Sequence, residues 1–173
     1  MYARSFFDHS SSGLDFDAVT VSPYMGEDSV LPFLSYPGKW VIILALTSNK
    51  GAIDFQFFKN ELTGERLFEK IIRSSLHWGN TGNIMYVAGA TQASMLTAIR
   101  EIIPEHFLLV PGVGEQGGNL KEVILYGMNK DCGLIVNVTR TIICSGKGTD
   151  FQIHVRKNAV EIQREMQKYL SAT

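Results

Sequence analysis

The chain has 173 residues, 45% of them hydrophobic and 19% charged, with a formal net charge of -1 at pH 7. These values exclude a disordered chain and give no footing for a polyanionic partner such as nucleic acid. The length suits one domain spanning 1–173 with a real core, and is short for two.

The longest apolar runs, Val41 to Leu46 and Phe107 to Val110, fall far short of a membrane span. No basic leader followed by a long apolar stretch opens the chain, so a cytoplasmic location with no membrane partner is expected. Cys132 and Cys144 lie beside apolar runs without metal-site spacing, which predicts buried, reduced thiols.

Met1 to Phe7 reads as part of an amphipathic helix with no cap before it. Ala18-Val19-Thr20-Val21 is a β-branched strand stopped by Ser22-Pro23. After a loop at Tyr24 to Asp28, a short helix is expected over 29–34, interrupted by Pro32. Trp40 to Leu46 is the second strand, with a polar tip from Thr47 to Ala52. Thr63-Gly64-Glu65 opens a predicted helix to about Trp78, with Leu67, Phe68, Ile71, Ile72, Ser75 and Leu76 on one face. Ile84 to Ala88 is the third strand, ending in Gly89-Ala90-Thr91, and a helix from Gln92 to Ile103 is stopped by Pro104.

Phe107 to Pro111 is a fourth, fully apolar strand, and Gly112, Gly114, Gly117 and Gly118 follow within a few residues. A glycine loop between a strand and a helix start can cradle an anion, with backbone N–H groups free to face it. Asn119 is the expected N-cap of the helix behind that loop. The glycine spacing matches neither the dinucleotide fingerprint nor the Walker loop. Gly133 to Val138 is the fifth strand, ending in Thr139-Arg140-Thr141, and Asp150 to Tyr169 the closing helix. Strands alternating with helices imply a parallel sheet, whose ligands sit at the carboxyl ends of the strands. With no second sheet type, the pattern fits part of a (β/α)8 TIM barrel, about its last five βα units, since a full barrel needs about 250 residues.

If the fourth and fifth strands are neighbours, Gln116 and Arg140 converge on one anion. Arginine offers a planar fork that fits phosphate, and glutamine adds a donor. A surface ion pair is the bland alternative for Arg140. Thr47 and Ser48 could donate to a flat polar ligand or cap the local backbone. The acids Asp17, Asp28 and Asp54 and the bases Lys39, Lys50 and Lys147 form no cluster in sequence. His9, His77, His106 and His154 lack ligand spacing, so neither a metal site nor a histidine catalyst is expected.

Four stretches carry a resemblance: Ser22-Pro23-Tyr24-Met25-Gly26-Glu27-Asp28-Ser29-Val30, Thr47-Ser48-Asn49-Lys50-Gly51-Ala52, Val87-Ala88-Gly89-Ala90-Thr91, and Pro111 to Gly118. In order and spacing they resemble orotidine 5′-phosphate decarboxylase, in its longer bacterial branch. The resemblance implies a homodimeric (β/α)8 barrel converting orotidylate to uridylate without a cofactor. It implies that Gln116 and Arg140 hold the 5′-phosphate, that Ser48 bonds the pyrimidine, and that Pro111 lines the base pocket. Lys50 stands where the family usually has proline. The family's catalytic Lys/Asp network has no counterpart in this sequence, and its usual place is upstream of Met1. The expectation is therefore the C-terminal part of a barrel, inactive alone, paired with a second copy or with the missing N-terminal part. Two other readings remain: a non-catalytic nucleotide-binding fragment, and a phosphate-binding barrel enzyme acting on a sugar phosphate.

Overall fold

The computed structural model describes residues 1–146 and 148–170, so Lys147 lies outside the described residues. The strands are β1 (Ala18–Val21), β2 (Trp40–Leu46), β3 (Ile84–Ala88), β4 (Leu108–Pro111) and β5 (Leu134–Asn137). The α-helices, in chain order, are α1 (Tyr2–Phe7), α2 (His9–Ser12), α3 (Glu27–Leu34), α4 (Ala52–Phe55), α5 (Leu67–Ser75), α6 (Leu96–Ile102), α7 (Leu120–Gly127), α8 (Arg140–Ile143) and α9 (Phe151–Leu170).

The sheet order is β1-β2-β3-β4-β5, and every pair is parallel. Parallel crossovers are almost always right-handed, so an order that never reverses stacks all connecting helices on one face. That is the wall of a barrel and not a doubly wound sheet, which needs a switch in strand order.

Side chains alternate across the wall. Val41, Ile43, Ile84, Tyr86, Leu108, Val110 and Leu134 belong to the main core, with Phe68 and Ile72 of α5, Leu96 and Ile99 of α6, and Val123 and Ile124 of α7. Ile42, Met85 and Val87 form a second, smaller cluster with Leu44 and Leu109 on the opposite face, where a closed barrel has its lining. Burial on both faces explains why these strands read as unbroken apolar runs.

Two polar features sit inside this packing. Tyr86 and Ser75 meet hydroxyl to hydroxyl at 2.9 Å, linking β3 to the end of α5. Arg100 on α6 donates to four backbone carbonyls: Gly127 at 2.6 Å, Ile103 at 3.2 Å, His106 at 2.6 Å and Gly133 at 2.8 Å. Burial pushes its pKa down to about 10, which leaves it charged at neutral pH. The guanidinium replaces water for carbonyls before β4 and β5 and so locks the amino end of the sheet.

Several sequence expectations need correction. The helix expected from Thr63 begins at Leu67, where Glu69 reaches back to the Arg66 N–H at 2.7 Å. The helix expected from Gln92 is broken: Ala90–Met95 is a 3-10 turn with Gln92 out of helical conformation, and α6 starts at Leu96. The short helix around Pro32 starts earlier, at Glu27, and runs through the proline. Cys132 is half-buried and Cys144 exposed, so neither thiol is fully buried. On α9, Ile162, Met166 and Tyr169 pack on the core, while Phe151 and Ile153 are exposed.

Candidate functional site

The site is assembled at the carboxyl ends of β2 to β5. Near the end of β2 the pairing slips: Leu44 faces Val87 and Leu46 faces Ala88, leaving Ala45 as an extra residue. Such a bulge re-aims the residues that follow it. Thr47 is then held by Gln56, whose amide oxygen takes the Thr47 N–H and whose amide nitrogen donates to the Thr47 hydroxyl, both at 2.8 Å. The Thr47 hydroxyl donates in turn to Asn49, so it serves the turn and not a ligand. Ser48 points across β3, and its hydroxyl donates to the Pro111 carbonyl at 2.8 Å. The chain passes close here: a Cβ added to Gly89 would lie 2.5 Å from the Ser48 hydroxyl.

Beyond Pro111 the chain turns at Gly112, with φ +93°, a conformation that L side chains rarely adopt. A Cβ there would meet the Ser48 hydroxyl at 2.5 Å and the Gln116 amide oxygen at 2.8 Å. The glycine loop closes on itself. Gly118 donates to the Gly112 carbonyl at 3.1 Å, Gly114 to Gly118 at 3.0 Å, and Gly117 to Gly114 at 2.7 Å. Those three N–H groups are therefore engaged within the loop, which corrects the expectation that they face an anion. Asn119 caps α7 as expected, accepting from Lys121 and Glu122, so two donors of the first helical turn are also taken. An anion here must rely chiefly on side chains.

Arg140 provides one of them. It does not end β5, as the sequence alone predicts, but opens the four-residue helix α8 after Thr139. Because β4 and β5 pair directly, with Pro111 opposite Asn137, Arg140 comes beside the glycine loop. Pro111, Gly112, Gln116 and Arg140 line one cavity of about 170 Å³. Positions 116 and 140 thus open onto one mouth. Gly114 lines an adjoining cavity with Arg140, Gly117 and Gly118 shape the loop behind it, and Ser48 reaches the cavity wall through the Pro111 carbonyl and its packing on Gly112.

Glu115 escaped the sequence reading. Its carboxylate lies 3.2 Å from Arg140 Nε, and both side chains are about half exposed. The backbone N–H of Glu115 donates to the Thr141 hydroxyl at 3.3 Å, which ties the loop to α8. Asn137 and Thr139 also line the cavity; the signal for them is their position at and just past the end of an apolar strand. Among the described residues no group of three or more His, Cys, Asp or Glu could hold a metal, and no helix is long and apolar enough to cross a membrane.

A single-order parallel wall with helices on one face and a polar cavity after its last two strands defines a (β/α)8-barrel protein, of which this chain carries part. Residues 2–150 match the family model described as "Orotidine 5'-phosphate decarboxylase / HUMPS family", and the chain belongs to that family. It is 57% identical to the orotidine 5′-phosphate decarboxylase of Phocaeicola vulgatus, over 98% of this chain and 61% of that protein. With the Parabacteroides distasonis decarboxylase it shares 58% identity, over 98% of this chain and 59% of that protein. The solved Leishmania donovani OMP decarboxylase superposes with a TM-score of 0.77 at 34% identity, covering 94% of this chain and 61% of that one. The chain thus spans about three fifths of the length of the curated relatives it matches.

Proposed function

We propose that this chain is the ligand-gripping portion of an orotidine 5′-phosphate decarboxylase, which converts orotidylate to uridylate and carbon dioxide. The observation that carries this reading is the shared cavity of Gln116 and Arg140, walled by Pro111 and Gly112. Arg140 offers a charged planar fork to the phosphate and Gln116 a neutral donor beside it. Pro111 walls the base side, and Ser48, released from the Pro111 carbonyl, bonds the pyrimidine.

Loss of carbon dioxide from C6 leaves a carbanion that an ammonium must stabilise and protonate. Binding energy from the remote phosphate speeds this step when it holds the base against that ammonium. Without the family's Lys/Asp network the chain binds nucleotide and turns over negligibly. Large apolar side chains stand exposed beyond β1 and β2, among them Tyr24, Met25, Phe55 and Phe58. A second copy covering them accords with the homodimer the resemblance implies, and a cytoplasmic location accords with a role in de novo pyrimidine biosynthesis.

Calorimetric titration with uridylate, uridine and ribose 5-phosphate tests the reading, alongside an orotidylate decarboxylation assay. Expected are uridylate binding well above uridine, loss of that preference in Arg140→Gln and Gln116→Ala, and no measurable turnover. Tighter binding of ribose 5-phosphate than of uridylate overturns the reading in favour of a sugar-phosphate enzyme.

A further inference from the structure

We infer that Glu115 is a resident counter-anion of Arg140, displaced when a phosphate group enters, and that it limits how strongly the cavity prefers phosphorylated ligands. The inference rests on the reading of this cavity as a phosphate seat. Among the described residues lining it, Arg140 is the one cation and Glu115 the one anion, and they stand 3.2 Å apart. The seat is therefore electrically neutral at rest, and phosphate capture is an exchange of anions on one guanidinium.

The geometry suits an exchange. Glu115 sits on the same loop as Gln116, next to it in sequence, so the competitor and the second donor are carried together. Its backbone is held by the Thr141 hydroxyl of α8, which keeps the carboxylate within reach of Arg140. Its side chain is about half exposed, so it can swing to water when displaced. An ion pair this open holds by no more than about fivefold, whereas a phosphate near its dianionic form binds an arginine fork more strongly. A carboxylate left beside the phosphate repels it, and that repulsion weakens as salt screens it.

Glu115→Gln keeps the shape and removes the charge. Titrations of this variant, of Arg140→Gln and of the unaltered chain use uridylate and uridine at about 20 mM and about 300 mM ionic strength. Glu115→Gln is expected to bind uridylate about fivefold tighter at the lower salt, with a smaller gain at the higher, and uridine unchanged. Equal or weaker uridylate binding by Glu115→Gln overturns the inference, as does an equal gain for uridine. Arg140→Gln separates the two layers. If it keeps the preference for uridylate, the phosphate seat itself is wrong and Glu115 falls with it. If it loses that preference while Glu115→Gln gains nothing, only the counter-anion role is lost.

Discussion

Ser48 donates its hydroxyl to the carbonyl of Pro111 at 2.8 Å, joining the carboxyl ends of β2 and β4 across β3. This bond spans 63 residues of chain and sets the distance between the turn after β2 and the glycine loop. Ser48→Ala leaves the Pro111 carbonyl without its donor. The expected loss is about 0.5–1.5 kcal/mol of stability in denaturant unfolding, with up to about tenfold weaker uridylate binding by calorimetry. A variant unchanged in both measurements would remove Ser48 from the site.

Gly112 and Gly117 form a matched pair. Both have φ near +93°. An added Cβ at Gly112 runs into Ser48 and Gln116, whereas at Gly117 it meets nothing within 4 Å. Gly117→Ala should therefore cost only the backbone strain, on the order of 1–2 kcal/mol, and keep ligand binding. Gly112→Ala carries the same strain and also pushes the Gln116 amide away, so uridylate binding should fall at least tenfold. Equal binding by the two variants would show that the Gly112 contact is incidental.

Arg100 holds four carbonyls with one half-buried guanidinium. A lysine ammonium has three donors and no planar fork, so it cannot reproduce the set. Arg100→Lys is expected to lose about 2–3 kcal/mol and Arg100→Met about 3–5 kcal/mol, read as midpoint shifts in urea unfolding. A loss under about 0.5 kcal/mol for both, the range of ordinary surface changes, contradicts the structural role.

His106 is buried, with its ring 5.5 Å from that of Tyr86. Burial lowers its pKa below the usual 6.5, and the nearby Arg100 charge adds to this. The folded chain keeps His106 neutral while the unfolded chain takes up a proton first. Stability is thus fully present above about pH 6.5 and is lost as the pH falls through the folded-state value. Thermal unfolding between pH 7.5 and 5 should show this decline, and His106→Gln should flatten it. An identical pH slope in the variant would assign the decline to other groups.

The strands and the glycine loop were legible because their signals are local. Unbroken apolar runs such as Trp40 to Leu46, glycine clustering after Pro111 and an asparagine at a helix start each state their own geometry. The convergence of Gln116 and Arg140 follows from the pairing of β4 with β5. What escaped depends on contacts distant in sequence. Nothing around Arg100 announces that carbonyls 27 and 33 positions away will surround it. The engaged N–H groups of Gly114, Gly117 and Gly118 follow from the φ values at Gly112, Gly114 and Gly117, which composition does not specify. Nothing in the sequence around Glu115 states that α8 will place Arg140 opposite it. Arg140 itself reads as the last residue of a strand unless the break at Val138 is known.

The strand order has a consequence for how this chain acquires its shape. Each strand pairs with its neighbour in sequence, so this part of the wall can assemble without waiting for a distant segment. Loop closure stays short at every step, which lowers the entropy barrier relative to folds that weave remote strands together. Neighbouring units of the wall can therefore pair before remote parts of the polypeptide meet.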